Sequence, residues 1–522
     1  MKRACVLILI FVLLLGNVSF AQRQVEITQK ADYLEQAQDI AQGAYRLIGN
    51  VMFTHQGTVM YCDSAYWFRD KNSLEAFSRV HLVQGDTVNL YGDYLTYDGN
   101  IKIAQIKRNV KLIGRNTTLT TRELEFNTGT STAYYTKHAN IVSGENKLRS
   151  RIGYYYSRQE MYYFNDSVVL TNPKYTIYSD TLRYHTLTKV AYFFGPTEII
   201  GDSSYIYCED GWYNTDTDIS MLKQKALVRN KDQVIKGDSL YYERNTGYGE
   251  GFSHIEVFDS VQNVILRGNH AFINQKKDSA VLTNQAMFVY ITGEQDSVFV
   301  HADTLRASTD SAGNRVLKAY FGVRLFKSDL QGMCDSLFYT TSDSILRLYR
   351  QPVLWSGVNQ LSADYIEIWT KNKEVDQVHM QQTAFIINEE DTGKFNQIKG
   401  KNMIGYFRNN EAYKIDVKGN GQTVYYAKDK NELVGVNVAQ SSNLTIHLKN
   451  NKPDDIRFYV KPNGVTYPLT VAPPEELILK DFKWLQDMRP AKMEDIFLKP
   501  EHKQSSEELS GTKKNKTIRV DQ

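Results

Sequence analysis

Residues 88–112, VNLYGDYLTYDGNIKIAQIKRNVKL, decide the fold. After Asp93, Leu95 and Tyr97 stand at alternate positions, the period of a half-buried strand. Asp98-Gly99-Asn100 follows as a turn, because Asp-Gly accepts the positive φ angles of a hairpin loop. Ala104, Val110 and Leu112 carry the returning strand. The unit is an Asp, two alternate apolar positions, an Ala eleven residues after the Asp, and apolar residues at plus seventeen and plus nineteen.

The unit recurs. Its Asp slot is filled at Asp32, Asp63, Asp93, Asp180, Asp210, Asp238, Asp303, Asp335 and Asp364, and in weaker copies by Arg122, Arg151, Asn269 and Lys401. Most successive spacings are 28 to 32 residues, giving thirteen degenerate copies over residues 25–425. Self-similarity at such a period is the mark of a chain that grows by stacking one supersecondary unit on the next. At about 4.8 Å per strand, two strands per copy predict a stack on the order of 120 Å long.

The phase of the apolar residues predicts a bend. Leu90 and Leu95 are five apart, so a straight strand would send them to opposite faces. The same flip occurs around Asp303 (Val300, Leu305) and Asp210 (Tyr207, Trp212). A bulge at the Gly-Asp or Ala-Asp step would turn both halves inward, and Gly92, Gly237 and Ala302 supply small residues there. Each strand is therefore expected to wrap over an edge and serve two facing sheets. Linkers such as Asn127-Thr128-Gly129 and Asn245-Thr246-Gly247 are too short for parallel crossovers, so an antiparallel stack is favoured over a parallel β-helix.

Residues 1–21 have the form of a cleaved secretion signal: Lys2 and Arg3, the apolar run Val6–Leu15, then Ser19-Phe20-Ala21. The net charge of +3 gives no basis for nucleic-acid binding. Cys62, Cys208 and Cys334 each stand one or two positions before an Asp slot, in distant copies, and are expected to be unpaired strand fillers. Residues 426–500 form a different C-terminal region, with short strand-like runs at 444–448 and 455–460. Within it, Glu475–Met488 (EELILKDFKWLQDM) is read as a short amphipathic helix presenting Leu477, Phe482, Trp484 and Leu485, either capping the last β-edge or docking on a partner. Residues 501–522 are polar and expected to be disordered.

No catalytic or metal constellation emerges. The recurring Asp is a turn or corner residue rather than a catalytic carboxylate, since catalytic pairs are local and unique. Asp216 and Asp218 fall in a polar hairpin turn and are expected to be solvated. The ten His form no H-x-x-x-H or H-E-x-x-H, and no G-x-S-x-G or phosphate-binding loop is present. Neither an enzyme nor a cofactor is expected.

The hairpin repeat behind a signal resembles the OstA/LptA-type family of lipopolysaccharide-export proteins. Ala31-Asp32-Tyr33-Leu34, Gly92-Asp93-Tyr94-Leu95, Gly237-Asp238-Ser239-Leu240-Tyr241-Tyr242, Ala302-Asp303-Thr304-Leu305 and Ala363-Asp364-Tyr365-Ile366 carry the resemblance. It implies an all-β, elongated antiparallel β-jellyroll over residues 22–425, extended relative to a short bridge protein and without an outer-membrane barrel. It further implies a periplasmic bridge that carries the acyl chains of lipopolysaccharide or a related lipid in an apolar groove toward the outer membrane. Its partners would be other export proteins, stacked jellyroll edge to edge. The groove candidates are Leu95, Tyr97, Leu182, Tyr184, Leu240, Tyr242, Leu305, Leu337, Tyr339, Ile366 and Ile368. Two other classes fit the repeat: a structural or adhesive secreted protein with a closed core, and a carbohydrate-active β-helix enzyme.

Overall fold

The computed structural model describes residues 26–37, 43–86, 88–292, 297–371, 374–408, 411–429, 432–449 and 452–498. The expected signal and the C-terminal tail lie outside them. The chain divides into two units, one ending at Lys231 and one beginning at Asp232.

Both units are built from antiparallel hairpins. In the first, Val88–Asp98 pairs on one side with Ser73–Gln84 and on the other with Ile103–Ile113. The Asp98 carboxylate accepts the backbone N–H of Asn100 at 2.8 Å and so shapes the turn at the strand's end. In the second unit, Ser279–Ile291, Ser297–Thr309 and Arg315–Phe326 succeed one another in the same manner. Every pairing among the described strands is antiparallel, which removes the parallel β-helix and with it the carbohydrate-active β-helix enzyme as a fold.

The expected bend is present at the Asp slot. The register shifts between Phe77 and Val80 against one neighbour of Asp93 and between Tyr91 and Tyr94 against the other. Opposite most slots, two successive residues of the returning strand take left-handed backbone angles, among them Ser78 and Arg79, Arg108 and Asn109, Ser253 and His254, and Arg350 and Gln351. The slot's side chain reaches to that pair. Asn109 donates to Asp93 at 2.7 Å, Arg79 to Asp63 at 2.9 Å, and Thr383 to Asp364 at 2.8 Å, while His254 Nδ1 lies 2.8 Å from Asp238. These contacts are exposed, and pairs of that kind contribute at most about 1 kcal/mol. Their role is geometric: they bracket the corner. Small residues before the Asp are required because the inside of the corner is crowded. A Cβ on Gly237 would sit 2.6 Å from Ile255 Cδ1, and one on Gly92 would run into the Ile106 side chain.

As a result, Leu90 and Leu95 are both fully buried despite their odd spacing. The two halves of each strand face one another across the apolar interior.

Two expectations about the C-terminal region change. The bent hairpins run on past residue 425: Glu432–Lys449 is one 18-residue strand, and its Asn443 occupies a corner, accepting the N–H of Gly419 at 3.0 Å. The polar run Gln440-Ser441-Ser442-Asn443 at the bend hides the strand's periodicity. Residues 475–488 are not an amphipathic helix. Only single 3₁₀ turns form, at Pro474–Glu476 and Gln486–Met488. Main-chain groups a helix would need are instead bonded by side chains of the sheet beneath. The segment covers a sheet face, packing Leu477 and Leu479 on Val424, Tyr426 and Val436.

If the bend is what buries both halves, Leu90→Ala and Leu95→Ala should each cost about 2–5 kcal/mol. Lys111→Ala, at an exposed position of the neighbouring strand, should cost under about 0.5 kcal/mol. Urea unfolding midpoints check this; a large loss at only one of the two leucines would mean an unbent strand.

Candidate functional site

The bend and the ladder register align the groove candidates into continuous cross-strand rows. In the second unit, Leu305 pairs with Ala319, Ala319 with Leu337, Leu337 with Leu348, and Leu348 with Ile366. Leu240 joins the same row through Gly251, Ala271 and Leu282. A second row links Tyr242 to Tyr339 and Ile368 through Gly249, Ile273, Ala280, Ala307, Leu317 and Leu346. In the first unit, one row carries Tyr97 through Ala104, Phe126, Ala133, Tyr155 and Tyr162 to Tyr184. Leu95 and Leu182 lie one inward position nearer the bend. Alternation of large residues with Ala and Gly lets neighbouring rows interlock.

Nine of the eleven candidates are 0–4% exposed; Tyr242 and Tyr339 are half-buried. The interior is thus packed along most of its length.

The first unit is closed opposite the bends by a polar seam. Each strand's two ends are hairpin tips, and the bend brings tips of the two sheets together. His55 Nδ1 lies 2.7 Å from the Tyr97 hydroxyl, and Gln84 Nε2 donates to the Thr128 carbonyl at 2.5 Å. The Thr117 and Tyr162 hydroxyls are 2.9 Å apart. Asn146 donates to Tyr184 and to Thr215, both at 3.1 Å. Lys174 reaches Asp218 at 3.2 Å, and Lys189 donates to the Ser143 hydroxyl at 3.3 Å. Most partners are 42 to 46 residues apart, about one and a half repeats. Burial raises the hydroxyl pKa of Tyr97, Tyr155 and Tyr162 above the usual phenol range, so they bond as neutral groups.

Residues 22–180 and 176–238 match the profile of the family described as OstA-like protein. Over these residues the chain is similar to that family. No curated protein matches it. Among solved structures, LptH of Pseudomonas aeruginosa, described as the LptA homologous periplasmic component of a lipopolysaccharide transport device, is 19% identical with a TM-score of 0.19; the match covers 21% of this chain and 82% of that one. An extracellular domain of a one component system from B. thetaiotaomicron is 8% identical with a TM-score of 0.09, covering 87% of this chain and 99% of that one. Scores this low carry no functional argument.

The OstA-like match ends at residue 238, but the same corners and inward rows continue to Asn443. Reading the sequence finds the inward residues after each Asp and leaves their equals before it, such as Leu82, Ile177 and Leu325, out of the candidate set. It also misses the seam, and it misplaces one member. Asp216 is exposed as expected, whereas Asp218 is 4% exposed and accepts from Tyr213 Oη at 2.7 Å. No cluster of metal-ligating side chains occurs among the described residues, and none of their helices is long and apolar enough to cross a membrane.

Asn146→Ala should destabilise the first unit by about 1–3 kcal/mol, because Tyr184 and Thr215 lose a buried partner; urea unfolding reads this directly. Cys62, Cys208 and Cys334 are unpaired and buried, and burial pushes each thiol up to about 12. A raised thiol pKa leaves the reactive thiolate scarce below that value. Iodoacetamide at pH 8.5 should therefore leave these three thiols unmodified in the native chain and label them in 8 M urea (about pH 8.5 being the ordinary thiol midpoint).

Proposed function

We propose that this chain is a lipid-carrying bridge of the lipopolysaccharide-export type. The acyl chains of lipopolysaccharide or a related lipid enter the apolar space between its facing sheets when the hairpin tips part. The observation that carries this reading is the pairing of continuous apolar rows with a closure made of separate polar contacts. Each neutral contact of that kind is worth only about 0.5–1.5 kcal/mol, so the tips can open without disturbing the bends. The OstA-like match over residues 22–238 supports the same reading. The half-buried Tyr242 and Tyr339 mark the most accessible part of the interior among the eleven candidates.

In this proposal residues 1–21 direct the chain to the periplasm. The terminal strands Tyr33–Gln36 and Asn463–Tyr467 offer edges to other export proteins, and transport proceeds toward the outer membrane without chemistry at the site. One observation favours a second reading, a secreted structural protein with a permanently closed core: Leu95, Leu182, Leu305 and Ile366 are all 0% exposed.

Photo-crosslinking in cells separates the two. A photoreactive residue at Leu240 or Leu305 should form lipopolysaccharide adducts, and one at the outward Thr304 should not. Asn146→Ala combined with Tyr97→Phe should raise the adduct yield of a probe at Leu182 several-fold. A folded, exported protein with no adduct at any inward position would establish the closed core instead.

A further inference from the structure

The outer face of the second unit carries a feature that lipid transport does not call for. Gln397, Gln360 and Gln331 point away from the interior, yet they are 1%, 0% and 4% exposed. The chain's own C-terminal segment covers them. Gln397 Nε2 donates to the Leu477 carbonyl at 2.8 Å, and its Oε1 accepts the Leu479 N–H at 2.9 Å. Gln360 repeats this six residues on, donating to the Lys483 carbonyl and accepting the Leu485 N–H, both at 2.7 Å. Six further on, Arg489 Nε donates to Gln331 Oε1 at 2.8 Å.

The spacing comes from the sheet. Gln397 is registered with Ile387, Ile387 with Gln360, Gln360 with Trp355, and Trp355 with Gln331. One glutamine therefore stands on every second strand of a single row, about 9.6 Å from the next. Two of the three bind a carbonyl and the N–H two residues later, the two groups that one edge of an extended backbone presents. Such contacts read main chain and tolerate many sequences. Selectivity falls to the apolar anchors: Phe482 and Trp484 against Phe395, with ring centroids 5.0 and 5.3 Å away, and the fully buried Ile496 against Met287 and Val289.

The corresponding row of the first unit has no such character. It runs through Asn89, Ile113, Thr118, Val142, Lys147 and Thr171, with no glutamine or aromatic residue, and its Val142 is exposed. The glutamine and aromatic row is thus not a by-product of the repeat.

We propose that this face is a peptide-recognition track, and that it accepts residues 471–498 of a second copy of the chain in place of its own. The occupant is set by the complementarity on view: the segment's six-residue step and aromatic anchors match the track. The segment joins the sheet only through the link after Tyr467, where Thr470 and Val471 are exposed. Release at that link opens the track without breaking a strand. The inference stands independently of lipid binding.

The test uses the full chain with a protease site inserted between Thr470 and Val471. After cleavage, the C-terminal fragment should co-elute with the body on size exclusion. A fluorescent synthetic peptide of residues 471–498 should then exchange in to one per chain, with at least tenfold weaker uptake by uncut protein. Gln360→Ala with Gln397→Ala should weaken uptake by the cut protein at least tenfold while its circular dichroism stays that of the parent. A fragment that stays but never exchanges would make the segment a permanent brace and overturn the proposal. So would a fragment that leaves without the peptide binding, or equal uptake by cut and uncut chains, which would signify nonspecific apolar adhesion.

Discussion

Left-handed residues on the returning strands, two in succession at most corners and set opposite the slot, are the constraint on which both units depend. Such angles cost a non-glycine residue on the order of 1 kcal/mol each. The expense is recovered because the bend lets a single strand bury both of its halves. Leu90 and Leu95 both reach the interior, where a straight strand would leave one in water. At about 1.5–3 kcal/mol for each large apolar side chain removed from water, burying the second half outweighs the local strain. The Asp contributes little energy at its exposed position. Where it is present it brackets the corner at the same place in the repeat, and that helps keep the inward rows in register.

The closure of the first unit follows from the same bend. Folding a strand back on itself brings its hairpin tips to the tips of other strands, so His55 meets Tyr97 and Lys174 meets Asp218. These groups are too polar to bury alone and too regularly placed to be loop contacts. The first unit is therefore held by two kinds of bond: apolar rows that resist separation everywhere, and a line of individually weak polar contacts that can be parted one at a time. In the bridge proposed above, that combination would supply a stiff back and an openable front.

The second unit adds burial on its other side. Trp355 and Ile387 face outward yet are 0% and 1% exposed, because the C-terminal segment lies over them. A sheet apolar on both faces would otherwise present a sticky strip to solvent. The glutamines between those residues let an irregular segment satisfy its backbone on a surface that is itself fully hydrogen-bonded within the sheet.

The period of the Asp slot, the turn at Asp98-Gly99-Asn100, the small residues Gly92, Gly237 and Ala302 before the Asp and the odd spacing of Leu90 and Leu95 are local facts. Local facts were enough to predict the bent antiparallel hairpin, its repetition and most of the inward residues; around Asp210 the phase is off by one, since Glu209 holds the corner with Lys225 and Ile206, Cys208, Gly211 and Tyr213 are buried rather than Tyr207 and Trp212. The seam was not legible, because His55 and Tyr97 belong to different repeats and nothing in either stretch signals the other until the bend closes the unit. Nor was the path of the C-terminal segment. Leu477, Phe482, Trp484 and Leu485 are spaced plausibly for a helix, and only the glutamines of distant strands, at Gln397 and Gln360, take up the backbone groups a helix would have used. Backbone conformation that neighbours along the chain enforce can be read from the chain. Contacts that compete for the same hydrogen bonds from eighty or more residues away are settled only once the sheet has formed.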